Sequence, residues 1–154
     1  MPYTVSSLST MQTPQWSKEY ETGFPVIDQQ HKEMFGLVGE LQQAMVKPNQ
    51  EAEIKSLIEQ LLQDTVNHFA LEEGLMLEHD YPSYEEHKQI HDRLTRKIQK
   101  VLHSIETEKD TSIINTELSH FLHQWLVHHI QGQDQKMIQF FREQNIRDAI
   151  PTYV

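Results

Sequence analysis

The chain has 154 residues, with 13 Lys and Arg against 23 Asp and Glu, ten His and no Cys; that length suits one domain of about 100 to 200 residues. The formal charge of −10 repels phosphate backbones and anionic lipid, so nucleic acid and membrane surfaces are excluded as partners. Without Cys there is no disulfide framework, thiolate nucleophile or sulfur-liganded metal, and any metal must be held by nitrogen and oxygen.

Residues 1–26 carry Pro2, Pro14 and Pro25 with a run of Ser and Thr, and are expected to form an irregular arm. The arm has neither the basic start nor the apolar stretch of a signal peptide, and no window in the chain approaches the roughly 18 apolar residues of a membrane span. Membrane insertion is therefore not expected, and the cytoplasm is the expected location. Asp28, a good N-cap residue, is expected to open the first helix, which runs to about Val46 with His31, Met34, Phe35, Val38, Leu41 and Met45 at helical spacing. Pro48 and Asn49 close it. The second helix spans about Glu51 to Glu78, and its stripe reads Ile54, Leu57, Ile58, Leu61, Leu62, Thr65, His68, Phe69, Glu72, Leu75 and Met76. After Asp80-Tyr81-Pro82, Ser83 and Glu86 have the capping-box spacing, and the third helix presents His87, Ile90, His91, Leu94, Ile98, Val101, Leu102 and Ile105.

The polar stretch Glu106 to Ser112 separates the third helix from a fourth that starts near Thr111 and shows Ile114, Leu118, Phe121, Leu122, Trp125, Leu126 and His129. Gly132 marks its end, and a short helical tail is expected from about Asp134 to Gln144. Four amphipathic helices with short connections predict an all-α fold, an up-down-up-down antiparallel four-helix bundle with an irregular N-terminal arm and a short C-terminal helix. The expected organisation is one domain over 1–154, with the arm at 1–26, the bundle at 28–131 and the tail at 134–154.

Every stripe is interrupted by a group that resists burial: His31, then His68 and Glu72, then His87 and His91, then His129. An unpaired carboxylate in an apolar core costs several kcal/mol or takes up a proton, so Glu72 calls for a cation. His68 and Glu72 are four apart, as are His87 and His91, and such pairs share one helix face within reach of one ion. One interrupted stripe would be ordinary, but six polar groups on four facing stripes point to a metal. His79, His103, His120 and His123 lie off the stripes and are expected to be solvated.

The set resembles the hemerythrin family in its single-domain bacterial form. The resemblance is carried by Trp16, GFPVIDQQHKEMF (23–35), HFALEE (68–73), YPSYEEHKQIH (81–91) and WLVHHIQGQD (125–134). It implies iron ligation by His31, His68, Glu72, His87, His91, His129 and Asp134. Asp134 enters through the resemblance alone, because five residues from His129 is 140° round an ideal helix unless the helix deforms near Gly132. His129 is preferred to His128 by its spacing from Trp125 and by the family register.

The resemblance implies two Fe ions (Fe2+/Fe3+) bridged by Glu72, Asp134 and an oxo or hydroxo group, with His87, His91 and His129 on one iron and His31 and His68 on the other. Of twelve positions on two six-coordinate ions, five His fill five, the two carboxylates four and the oxo group two, which leaves one. The implied function is reversible dioxygen binding, as carriage, storage or delivery, with O2 held as hydroperoxide at that position and no enzymatic turnover. Met34, Phe69, Trp125, Leu126 and Ile130 match the family's O2 pocket, with Met34 where Leu is common. The alternatives are a di-iron redox enzyme reducing peroxide or nitric oxide, an oxygen or iron sensor using the same centre, and a divalent-metal buffer. O2-activating di-iron bundles use four carboxylates and two Glu-x-x-His motifs. The single match here, Glu117 to His120, lies off the core stripe, which favours binding.

Overall fold

The computed structural model describes residues 15–107 and 112–146, and side chains in that range apart from 112–117 and 119. Helices α1 (Pro25–Met45), α2 (Glu51–Glu78), α3 (Tyr84–Thr107) and α4 (Ser112–His129) are followed by a π turn (Ile130–Asp134) and α5 (Gln135–Glu143). In the four-helix bundle α1 packs on α2, α2 on α3, α3 on α4 and α4 back on α1, and no strand occurs among the described residues. No described helix is long and apolar enough to cross a membrane. The expected arm over 1–14, the linker residues 108–111, the side chain of Ile114 and the tail over 147–154 lie outside the described residues.

Two expected boundaries shift. α1 begins at Pro25 and not at Asp28: proline at the first helical position forfeits an N–H that would have no intrahelical partner anyway. Asp28 still serves the helix start, from inside the first turn. Its carboxylate accepts the backbone N–H groups of Thr22 (2.8 Å) and Gly23 (3.2 Å) and the Thr22 hydroxyl (2.8 Å), and so ties the arm to the helix. The short C-terminal helix is present as expected but starts at Gln135 and not at Asp134, which belongs to the π turn that joins it to α4.

Helices α2 and α5 end alike. Asp80 (φ 53°) and Asn145 (φ 60°) adopt the left-handed conformation that Asp and Asn tolerate better than other side-chain-bearing residues. The next residues then fold back, Tyr81 N–H donating to the Met76 carbonyl and Ile146 N–H to that of Phe141, both at 2.9 Å. The turn at Asp80 keeps the connection from α2 to α3 short.

The buried side chains form two apolar clusters. The larger spans α1, α2, α3 and α4, with Val38, Leu41, Ile58, Leu61, Ile98 and Leu122 at its centre, and the described part of the arm adds Tyr20, whose ring lies 5.0 Å from that of Phe35. The smaller joins Phe24 and Ile27 to Leu75, Met76, Tyr81, Met137, Ile138 and Phe141. Along α1, α2 and the α4–α5 rod the sequence passes from one cluster to the other through polar residues, so a polar layer separates the two. α3 buries only His87, His91 and Ile98 fully, and its other apolar residues stay half-exposed.

Candidate metal centre

The polar layer contains all seven residues that the sequence singled out, each buried: His31 on α1, His68 and Glu72 on α2, His87 and His91 on α3, His129 at the end of α4 and Asp134 at the end of the π turn. The i, i+4 pairs of α2 and α3 face inward as expected. Asp134 reaches the layer because the π turn closes its hydrogen bonds over five residues instead of four, so residues five apart stand one turn apart on the same face. His129 Nε2 lies 3.1 Å from Asp134 Oδ1.

The carboxylate oxygens divide the site into halves. Glu72 Oε1 faces His91 Nε2 (3.1 Å) and His87 Nε2 (3.7 Å), and Asp134 Oδ1 faces His129 (3.1 Å) and His87 (3.2 Å). Their second oxygens turn the other way, Glu72 Oε2 to His68 Nε2 (3.2 Å) and Asp134 Oδ2 to His31 Nε2 (3.1 Å). Two groups of potential ligand atoms result, each confined within 4.8 Å: His87, His91 and His129 with both carboxylates, and His31 and His68 with the same two carboxylates.

The donors suit metal ions better than they suit one another. Both oxygens of Glu72, Oδ1 of Asp134 and Nε2 of His87, His91 and His129 are buried without a well-directed hydrogen bond. Convergent unsatisfied oxygens and imidazole nitrogens are what borderline divalent ions such as ferrous iron or zinc bind. Without an ion, protons supply the positive charge. Burial opposes a charged His68, but the Glu72 carboxylate, helped by Asp134, outweighs it and raises the imidazole to about 10. Burial and Asp134 push Glu72 up, and His68 and His91 overcome both to hold it at about 2. His129 is raised against the effect of burial by Asp134, and Asp134 is driven well below the usual range, against the effect of burial, by His129, His31 and His68.

Two supporting residues escaped the sequence reading. His68 Nδ1–H donates to Gln30 Oε1 at 2.7 Å, and His91 Nδ1–H donates to Glu73 Oε2 at 2.8 Å. Such bonds fix the tautomer whose Nε2 lone pair faces the centre. Glu73 is steadied in turn by Lys88, 3.6 Å away, which also bonds Asp92. Gln30 and Glu73 each precede or follow a stripe residue, and a half-buried flank position gives no periodic signal.

Met34, Phe69, Trp125, Leu126 and Ile130 all fall in the larger apolar cluster. Phe69 stacks flat on His91, centroids 3.7 Å apart at 5°, and meets His129 edge-on at 5.7 Å. Of the other His, His103 and His120 are exposed, whereas His79 and His123 are half-buried; His79 sets its ring against Phe141 at 5.7 Å and is not simply solvated.

Known proteins share the pattern. The hemerythrin HHE cation binding domain matches residues 22–141. The chain is 32% identical over 120 residues to a bacteriohemerythrin of Stenotrophomonas maltophilia, covering 78% of this chain and 76% of that one. It is 33% identical over 119 residues to a bacteriohemerythrin of Pseudomonas aeruginosa (77% and 75% covered). A hemerythrin-like protein of Naegleria gruberi is 30% identical over 121 residues, with 79% and 87% covered.

Proposed function

The chain belongs to the hemerythrin family, and from that premise we propose that it binds dioxygen reversibly at a pair of irons inside the bundle. His87, His91 and His129 would hold one iron and His31 and His68 the other, with Glu72 and Asp134 within reach of both. What supports this assignment is that each carboxylate turns its two oxygens to different imidazoles, Oε1 of Glu72 and Oδ1 of Asp134 to His87, His91 and His129 between them, and Oε2 and Oδ2 to His31 and His68. When bound, the iron pair would supply the electrons that dioxygen takes up reversibly.

The chain's own part is to orient donors and keep the site dry. Gln30 and Glu73 take the Nδ1 protons of His68 and His91, leaving Nε2 free to donate. Phe69 covers one face of His91, and Met34, Trp125, Leu126 and Ile130, buried in the same apolar cluster, bring no acid to that side of the polar layer. A ligand denied protons there leaves as it came, which suits carriage or storage by a single-domain cytoplasmic protein and disfavours turnover.

The test is optical. Anaerobically reduced protein is expected to be colourless, to colour on exposure to O2 and to bleach under inert gas through repeated cycles. Irreversible oxidation on first contact would contradict reversible binding and favour a redox enzyme acting on peroxide or nitric oxide.

A further inference from the structure

A groove of about 690 Å³ runs between α3 and α4 on the outer side of His129. Its apolar walls are Ile90 and Leu94 from α3 and Phe121 and Trp125 from α4, and Arg93 and Lys97 stand beside them. That volume lies within the range of small-molecule sites, which are apolar with a few placed polar groups. It exists because α3 leaves Ile90 and Leu94 only half-buried.

The charged side chains of this groove, Arg93 and Lys97, have one sign, beside the polar Gln124, His128 and Gln133. Neither Arg93 nor Lys97 has a carboxylate partner among the described residues, although acidic residues outnumber basic ones 23 to 13 in the chain. Lys97 Nζ instead sits 4.9 Å above the Phe121 ring. Two further donors belong to residues of the same wall: Trp125 Nε1 and His129 Nδ1 are buried with no hydrogen-bond partner. His68 and His91 each give Nδ1–H to a side-chain oxygen, whereas Nδ1 of His129, like that of His31 and His87, has no such acceptor. One guanidinium and one ammonium on the wall of an apolar groove, neither with a carboxylate partner among the described residues, select an oxyanion.

We propose that this groove is a binding site for a small amphipathic carboxylate, an apolar body of aromatic or short aliphatic character bearing one anionic end. The body lies along Ile90, Leu94, Phe121 and Trp125, and the carboxylate is taken by Arg93 and Lys97. The site is distinct from the metal centre, with His129 and Trp125 between the two, so it stands whatever chemistry the irons perform.

Titration calorimetry of the full-length iron-loaded protein tests the proposal with three probes of one shape: phenylbutyrate, phenylbutanol and phenylbutylamine. Phenylbutyrate is expected to bind saturably at one site per chain, at least about ten-fold more tightly than the alcohol or the amine. The double variant Arg93→Gln, Lys97→Gln, on exposed positions and with its iron content checked, is expected to lose at least about ten-fold in affinity for phenylbutyrate alone. Leu94→Gln is expected to weaken all three probes. Equal affinity for the three probes, no saturable binding, or unchanged phenylbutyrate affinity in the double variant, as direct carboxylate binding to iron would give, overturns the proposal.

Discussion

Helix α2 and the α4–α5 rod each bring one imidazole and one carboxylate to the centre, and they do so by different geometry. α2 is regular over 28 residues, so His68 and Glu72, four apart, stand one turn apart without further device. The α4–α5 rod offers His129 and Asp134, five apart, and brings them together only through the π turn at Ile130–Asp134. The same ligand pair thus arises from two helical registers, and what matters chemically is the shared face rather than the spacing.

The largest expected effect probes whether the two carboxylates are equivalent. Glu72→Ala and Asp134→Ala are each expected to reduce iron from two to below one per chain and to cost roughly 3 kcal/mol or more of stability, since each leaves buried imidazoles without their counter-charge. Metal analysis with chemical denaturation checks this. Two irons in the Glu72 variant but not in the Asp134 variant would break the symmetry.

Next in size is the response to pH once iron is removed by chelation. His68, raised to about 10, contributes stability that is complete below its ordinary value of 6.5 and lost as pH climbs toward 10. Glu72, held at about 2, contributes stability present above its ordinary 4.5 and lost as pH falls toward 2. His129 and Asp134 shift in the same directions, so both rods titrate alike. The unfolding temperature of the iron-free protein is therefore expected to peak between pH 4.5 and 6.5. Iron replaces the imidazole protons, so its stabilising effect grows as pH rises from there. A peak near pH 9 without iron would contradict the charge balance described for the centre.

A smaller effect is expected from the residues behind the ligands. Glu73→Gln and Gln30→Leu are each expected to weaken metal affinity by about 10- to 100-fold while the helical circular dichroism stays the same. A competitive chelator titration measures it. Unchanged affinity in both would reduce these contacts to packing.

The smallest effect is the most specific to the π turn. Deleting Gln131 leaves His129 and Asp134 four apart, the spacing of His68 and Glu72, and a regular α-turn then puts them on one face. The variant is expected to keep two irons per chain and to unfold within a few degrees of the parent. Loss of iron would mean that the wider turn itself, and not merely its facing, is required.

This contrast also explains what was legible in the sequence. The four helices follow from apolar periodicity and from Pro48, Asn49, Asp80 and Pro82 between them, and the ends of α2 agree with that reading to the residue. His31, His68, Glu72, His87, His91 and His129 were visible as polar interruptions of regular stripes. Asp134 was not, because a stripe argument assumes one period throughout. Followed from His129 the step to Asp134 is five, whereas the neighbouring buried row Leu122, Leu126, Ile130, Asp134 and Ile138 advances by four throughout and carried the signal. Gly132 lies inside the π turn that follows His129, where the regular helix ends and its period changes. Asp28 was read as an N-cap because its type fits that role, but Pro25 three residues earlier sets the helix start and the acid caps from within.

The central claim is that the two rods hold one pair of metals between them. Anomalous diffraction at the iron edge from crystals of the iron-loaded protein tests it most directly. The account predicts two iron peaks, both in contact with Glu72 and Asp134, one also touching His87, His91 and His129 and the other His31 and His68. A single peak, or two peaks that do not share both carboxylates, would contradict it.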